Sequence, residues 1–295
     1  MLNEMNLRLY AEKIGINQLA ILKPVVDYPN FRKCLNERHE YRHLRYRPFP
    51  RFLDSLTPPD CKSLIVMIMD YFVSNDYPPG HLKISNRGRY LWQTSNKRVR
   101  QLQTFLEENG HTAEFVNVPE RATACMAGLG LIGMNTMFYA NQLGSYVGIR
   151  VIGTDFIPDS YHEAQPEIVH SDICMHCRRC IKACPTKAID PDGYRINPFR
   201  CISFINRHMG ETFRNWPDNR ADLDNWVDGC EVCQDVCPIN KKAKHKPELV
   251  IDDLDFYGIR MKNADSISRD ELKQRKDEIT NPDFRSYVER LLDES

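Results

Sequence analysis

Four cysteines in one short stretch constrain this chain more than any other feature: Cys174, Cys177, Cys180 and Cys184 follow the spacing C-x2-C-x2-C-x3-C, with Pro185 directly after the last. A second run, Cys230, Cys233 and Cys237 before Pro238, repeats the pattern with one thiol missing. Three thiols at steps of three residues wrap a loop around one iron–sulfur cube, while the fourth, followed by proline, points away into a helix that reaches a second cube. Two full cubes need one more thiol than the two runs supply. Cys201, in the insertion between them, is the only spare nearby.

The spacing is that of two-cluster bacterial ferredoxins, and the crossed pattern of such modules assigns Cys174, Cys177, Cys180 and distant Cys237 to one 4Fe-4S cluster. Cys184, Cys201, Cys230 and Cys233 then hold the other. Structural zinc wants Cys-x2-Cys pairs far apart and has no use for a third cysteine at the next step; disulfides need a secretory context. The spacing favours iron–sulfur over both.

Composition agrees. Glu4, Arg8, Glu12 and Lys13 interrupt the early apolar residues, so no secretory signal is expected at the start. The longest apolar run, Leu64 to Met69, is six residues, where a membrane span needs about 20. The expectation is a soluble cytoplasmic protein with no membrane partner, whose 11 cysteines serve metal rather than cross-links. Cys34, Cys61 and Cys125, outside the motifs, read as buried free thiols. With 40 basic and 40 acidic side chains, net charge argues neither for nor against nucleic acid. A basic stretch from Arg38 to Arg51, interleaved with Tyr41, Tyr46, Phe49 and Phe52, could stack on a base or grip a phosphate. For it and for Lys241 to Lys246, a solvated loop face is the other reading.

Periodicity outlines the rest. Leu2, Met5 and Leu9 recur at helical spacing up to Gly15, giving an opening helix over 2–14; 18–22 reads as a short strand. The run from Ser63 to Met69 suits a mid-sheet strand covered on both faces, and 71–90, rich in Pro, Gly, Ser and Asn, reads as loop. Ser95 reads as the cap of a helix whose Val99, Leu102, Phe105 and Leu106 form one apolar face, ended by Gly110. Phe115 to Val118 reads as a strand, Pro119-Glu120 opens a second helix ending at Gly128, and 146–154 reads as another strand. Near the end, a charged segment from Asp265 to Lys276 precedes a helix with Phe284, Tyr287, Leu291 and Leu292 on one side.

Gly128-Leu-Gly130-Leu-Ile-Gly133 matches the dinucleotide fingerprint G-x-G-x-x-G. That fingerprint needs a strand before its first glycine and a helix after its last, so that pyrophosphate meets a helix N-terminus. Here a helix precedes it, so a glycine loop bringing backbone amides close to another large, flat cofactor fits better than a nucleotide site.

These residues resemble a family. Ala127-Gly-Leu-Gly-Leu-Ile-Gly-Met-Asn-Thr136, Ser63-Leu-Ile-Val66 before Tyr71, Arg200-Cys-Ile-Ser-Phe204 and Gly229-Cys-Glu-Val-Cys-Gln-Asp-Val-Cys-Pro238 look like motifs of epoxyqueuosine reductases, in the same order, from about residue 10 to residue 242. Those are cobalamin-dependent iron–sulfur enzymes of queuosine tRNA biosynthesis, related more distantly to reductive dehalogenases. The resemblance implies an α/β (α+β) fold in three parts: a nitroreductase-like corrinoid-binding domain over 1–160, a ferredoxin-like module with two 4Fe-4S clusters over 161–245, and a C-terminal helical tail over 246–295. It implies electrons from an external flavodoxin or ferredoxin type donor, passing through the clusters to cobalt that carries no protein histidine. Gly130, Gly133, Asn135 and Thr136 then fall in the cofactor loop, with Ser203 and Gln234 beside the clusters.

Departures accompany the resemblance. Leu131 and Met134 stand where the family usually has tryptophan and lysine, leaving no cation beside the loop, and Glu114 falls at the family's proton-donating aspartate. A glutamate can donate a proton if burial raises its pKa. The helical repeats that help many members cradle tRNA have no counterpart in the last 50 or so residues, which puts tRNA in question as a partner. Three readings follow: a corrinoid-dependent reductase; an electron-transfer or activating protein without substrate turnover of its own, favoured by the missing lysine and aspartate; and a nitroreductase-like flavoprotein, disfavoured because no phosphate-binding Arg or Ser pattern stands out.

Overall fold

The apolar run from Leu64 to Met69 forms the middle of a sheet. A computed structural model describes residues 2–25, 27–30, 33, 60–72, 77–87, 92–206, 225–243, 254–256, 259–261 and 266–293. Cys34 and the basic stretch from Arg38 to Arg51 lie outside the described residues, as does the lysine run beyond residue 243.

Helix α1 (Glu4–Lys13) is capped by Asn3, whose side chain accepts from the Asn6 amide at 2.8 Å. It leads into β1 (Gln18–Leu22), which pairs antiparallel with β2 (Ser63–Asp70). Then come β3 (Leu82–Ile84), α2 (Trp92–Glu108), β4 (Ala113–Phe115), α3 (Glu120–Met126) and a hairpin of β5 (Gly130–Ile132) and β6 (Phe138–Ala140). Strand β7 (Val147–Thr154) completes a four-stranded antiparallel sheet of order β1-β2-β7-β4.

Every residue of β2 is buried, because alternate side chains enter two different cores. Leu64, Val66 and Ile68 pack with Val151, Phe138 and the Ala122–Cys125 face of α3. Ile65, Met67 and Met69 pack with Leu7 and Ala11 of α1 and with Val99, Leu102 and Leu106 of α2, the helical stripe read from the sequence. At about 1.5–3 kcal/mol per buried apolar side chain, this double-faced strand is the main anchor of the domain.

The cysteine-rich region follows: α4 (Asp172–Cys177), α5 (Arg179–Ala183), α6 (Ile202–Ile205), β8 (Trp226–Asp228), α7 (Val232–Asp235) and α8 (Pro238–Lys241). Strands β9 (Leu254–Phe256), β10 (Ile259–Met261) and β11 (Ser266–Ile267), then α9 (Arg269–Arg275) and α10 (Pro282–Asp293), end the described chain.

Three expectations need correction. Stretch 71–90 contains β3, which pairs parallel with β8 and antiparallel with β11; three residues carry no readable periodicity, and only distant partners make them a strand. Helix α2 starts before Ser95, which is fully buried inside it rather than capping it. The strand expected at Phe115–Val118 lies earlier, at β4, where buried Ala113 faces the α2 core. Towards the end of the described chain, Ile267, Leu272, Phe284, Tyr287 and Val288 share one core with Leu82 and Ile84 and with Ile202, Ile205 and Trp226 of the cluster region, so the final amphipathic helix packs against the core.

Candidate functional site

The cysteine run folds as its punctuation dictates. Arg178, in the left-handed region at φ 51°, breaks the chain between α4 and α5 and turns Cys180 back towards Cys174 and Cys177. Cys184 and Cys237 sit in extended backbone, and Pro238 then opens α8, where its missing N–H costs nothing. Cys174, Cys177, Cys180 and Cys237 line one cavity with Met134, Asn135 and Tyr139. Cys184 is buried with Ala188 and Ile189, and Cys180, Cys201 and Cys233 all pack against that group.

The charges tell the same story. Burial raises the Cys174 pKa, and repulsion from Cys237 and Cys177 adds to it. Burial pushes Cys180 up to about 11, with Cys174 and Cys237 adding to the shift. Burial also raises Cys230, with Cys201 and Cys184 adding, and raises Cys233, with Cys230 and Cys201 adding. The neighbours fall into the two sets of the crossed pattern, touching through a lesser effect of Cys180 on Cys233. Burial and mutual repulsion both hold these thiols towards the neutral form, and a multivalent positive core between them would draw them to thiolate.

A buried donor fits the same group. The Tyr194 hydroxyl is buried without a hydrogen-bond partner, and its pKa is raised by burial and then by Cys174, Asp172 and Cys180. An O–H beside that thiol set is satisfied when a cluster sulfur accepts from it. The Tyr194 ring stacks on His170 at 3.9 Å. Nothing in the sequence pattern singles out Tyr194.

The glycine loop is not a ready cradle of free amides. A Cβ on Gly130 would meet the Tyr139 carbonyl oxygen at 2.1 Å, and one on Gly133 would meet the Tyr139 ring at 2.5 Å; both glycines serve close packing inside the β5–β6 hairpin. The amides of Gly128, Leu129, Ile132, Gly133 and Thr136 donate to Cys125, Ala124, Val169, Met137 and Gly133 carbonyls. That consumes the donors a pyrophosphate would use, as expected from the preceding helix.

The loop instead grips the cluster region. Asn135, 2% exposed, donates from Nδ2 to the Tyr139 hydroxyl at 2.9 Å and to the Cys233 carbonyl at 3.3 Å. Tyr139, its pKa raised by burial and then by Cys237 and Cys233, stands between the thiol sets. Met134, in place of the family's lysine, is buried, and its carbonyl accepts from the Tyr194 amide at 2.8 Å.

The cation thought missing is supplied from elsewhere. Arg121 donates from Nη1 to the Thr136 carbonyl at 2.8 Å, Thr136 being held at φ 63°. Arg121 is exposed, and desolvation by the surrounding protein lowers its pKa. Glu120 next to it has 42% side-chain exposure, reaches Arg150 at 3.5 Å, and is raised by desolvation against the opposing pull of Arg150, Arg87 and Arg121.

Of the remaining sequence candidates, Gln234 is buried and committed to protein: its Oε1 accepts from Ser145 Oγ at 2.8 Å and its carbonyl from Asn240 Nδ2 at 2.8 Å. Ser203 is half-buried on α6, directly after the Cys201 segment. Glu114 is not brought here. It is exposed on edge strand β4 opposite Gly153, about 20 Å along β7 from Tyr146, whose hydroxyl meets Asp235 beside the thiols.

An α+β domain gripping a paired set of cluster thiols defines a two-cluster iron–sulfur oxidoreductase, and residues 173–240 match the family model of the 4Fe-4S double cluster binding domain. The chain is 28% identical over 279 residues to an epoxyqueuosine reductase of Cellulophaga algicola, covering 91% of this chain and 88% of the relative. It is 30% identical over 214 residues to that of Synechocystis sp., covering 68% of this chain and 69% of the relative. A solved structure of epoxyqueuosine reductase with a tRNA-Tyr epoxyqueuosine-modified tRNA stem loop has the same fold, with a TM-score of 0.64 at 23% identity over 97% of this chain and 79% of that one. The chain belongs to the epoxyqueuosine reductase family.

Proposed function

We propose that this chain reduces epoxyqueuosine in tRNA, with two 4Fe-4S clusters held by Cys174, Cys177, Cys180 and Cys237 and by Cys184, Cys201, Cys230 and Cys233. The observation that carries the reading is the grouping of the thiols beneath the Asn135–Tyr139 clamp. A corrinoid would be held against the turn carrying Thr136, where Arg121 donates to the Thr136 carbonyl and Glu120 stands next to it on α3. When bound, it supplies a metal centre that takes electrons singly from the clusters and delivers them to the substrate.

The chain's own residues do the rest. Asn135 fixes the cluster loop against the first domain, and Arg121 pins the Thr136 turn. Glu120, whose pKa desolvation raises against the pull of Arg150, Arg87 and Arg121, is the carboxyl next to that turn. Removing an epoxide oxygen as water takes two electrons and two protons, so single-electron entry through a cluster pair suits the reaction. The electrons come from an external carrier.

Sequence kinship with enzymes named for this reaction favours turnover over a purely electron-carrying role. The short tail does not argue against an RNA substrate, because the Cellulophaga relative is matched over 88% of its own length. A tRNA substrate places the protein in the cytoplasm. Among the described residues, no helix is long and apolar enough to cross a membrane.

The test is turnover. Protein reconstituted anaerobically with iron, sulfide and cobalamin, then reduced, should convert epoxyqueuosine to queuosine in a tRNA anticodon stem loop, read by nucleoside mass. Loaded clusters with no conversion would contradict the proposal and favour the electron-carrying role.

A further inference from the structure

Two large apolar side chains stand in water beside the first thiol set. Helix α4 turns Cys174 inward, but Ile173 and Met175 on either side of it are 58% and 57% exposed. Ile173, Arg178 and Arg179 line the same cavity as Cys174, Cys177, Cys180 and Cys237. The concavity next to it shares Arg179 and adds Lys182 and Lys241. Arg178, Arg179, Lys182 and Lys241 are all exposed. Asp172 and Asp192 are exposed carboxylates near this rim, Asp192 following the Pro191 carbonyl that accepts from Arg178, whereas Asp235 accepts the Tyr146 hydroxyl and so is drawn into the fold. The face has an apolar centre and a rim in which cations outnumber these carboxylates, beside the first thiol set.

Resting on the two-cluster reading above, we propose that this face is the docking site of a small, acidic one-electron carrier protein, which delivers electrons to the cluster held by Cys174, Cys177, Cys180 and Cys237. A cationic rim steers an acidic partner and raises its association rate without tight binding, while a small apolar centre excludes water at the contact, as suits transient redox encounters. RNA fits less well. Phosphates would accept the cations but would gain nothing from Ile173 and Met175, the two exposed apolar side chains at the centre of this face. In each encounter the reduced carrier loses one electron and the oxidised cluster gains one, with no bond made and no proton moved. Two encounters supply the pair of electrons that one reduction consumes.

The experiment follows cluster bleaching anaerobically by stopped flow in the full-length, cluster-loaded protein. Reduced flavodoxin is the probe, and photoreduced deazaflavin is the small-molecule control. The variants are Met175→Asp and the pair Lys182→Glu, Lys241→Glu. Reduction by flavodoxin should slow by about tenfold or more in each at low salt, and the wild-type rate should fall as salt rises. The deazaflavin rate and iron content should stay at wild-type values. Unchanged flavodoxin rates in both variants would overturn the proposal. So would loss of tRNA stem-loop binding with carrier reduction intact, which would make this an RNA surface. Failure of deazaflavin to bleach the wild-type protein would instead remove the two-cluster reading, and the docking proposal with it.

Discussion

Single residues decide what the thiols can hold. Replacing Cys201 by Ala should drop iron from about eight per chain to nearer four, because one cluster loses a thiolate; iron analysis showing no change would mean that Cys201 is not a ligand. Tyr194→Phe removes a buried O–H beside Cys174 and Cys180. Hydrogen bonds to cluster sulfurs favour the more negative, reduced state, so the variant should keep its iron but show a lower midpoint potential for one cluster in an EPR-monitored redox titration. An unchanged potential would mean that the hydroxyl donates elsewhere. Glu114→Gln should retain full turnover, since Glu114 is exposed on the far edge of the sheet; lost turnover with intact cofactors would return it to the site. The cluster cysteines were legible because their spacing is itself the coordination geometry. Counting along a motif placed Glu114 in the sequence without showing which end of its strand it occupies, and the loop's own residues gave no sign that Arg121 reaches it from a neighbouring helix.

Elements show where local pattern suffices. Strand β2 and the stripe of α2 were readable from apolar spacing, because each is held by side chains that repeat with its own period. Strand β3 was not, since its identity comes from β8 and β11, which lie far away in the chain. Helix α10 was found as an amphipathic helix, but its partner was not. Its Phe284 is 1% exposed and packs in the core that carries Ile202 and Ile205, next to Cys201, and to which half-buried Cys230 adds. Phe284→Ala should cost about 3–5 kcal/mol of stability, read by thermal denaturation, and should lower iron occupancy as the Cys201 and Cys230 segments loosen. Full iron occupancy in a destabilised variant would mean that the core supports the fold without shaping the cluster site.

In the whole molecule, two cores on either side of β2 build a rigid α+β domain, and the hairpin projecting from it clamps the cluster region through Asn135 and Tyr139. The third core, drawn from both ends of the chain, braces the segments that carry Cys201 and Cys230. The central claim is that this architecture exists to hold a pair of 4Fe-4S clusters through eight thiols in two crossed sets. Iron and acid-labile sulfide analysis of the anaerobically purified chain, with Mössbauer spectroscopy, tests it most directly. About eight irons and eight sulfides per chain, with spectra of 4Fe-4S clusters alone, are expected; a zinc-loaded or colourless protein would overturn the two-cluster architecture.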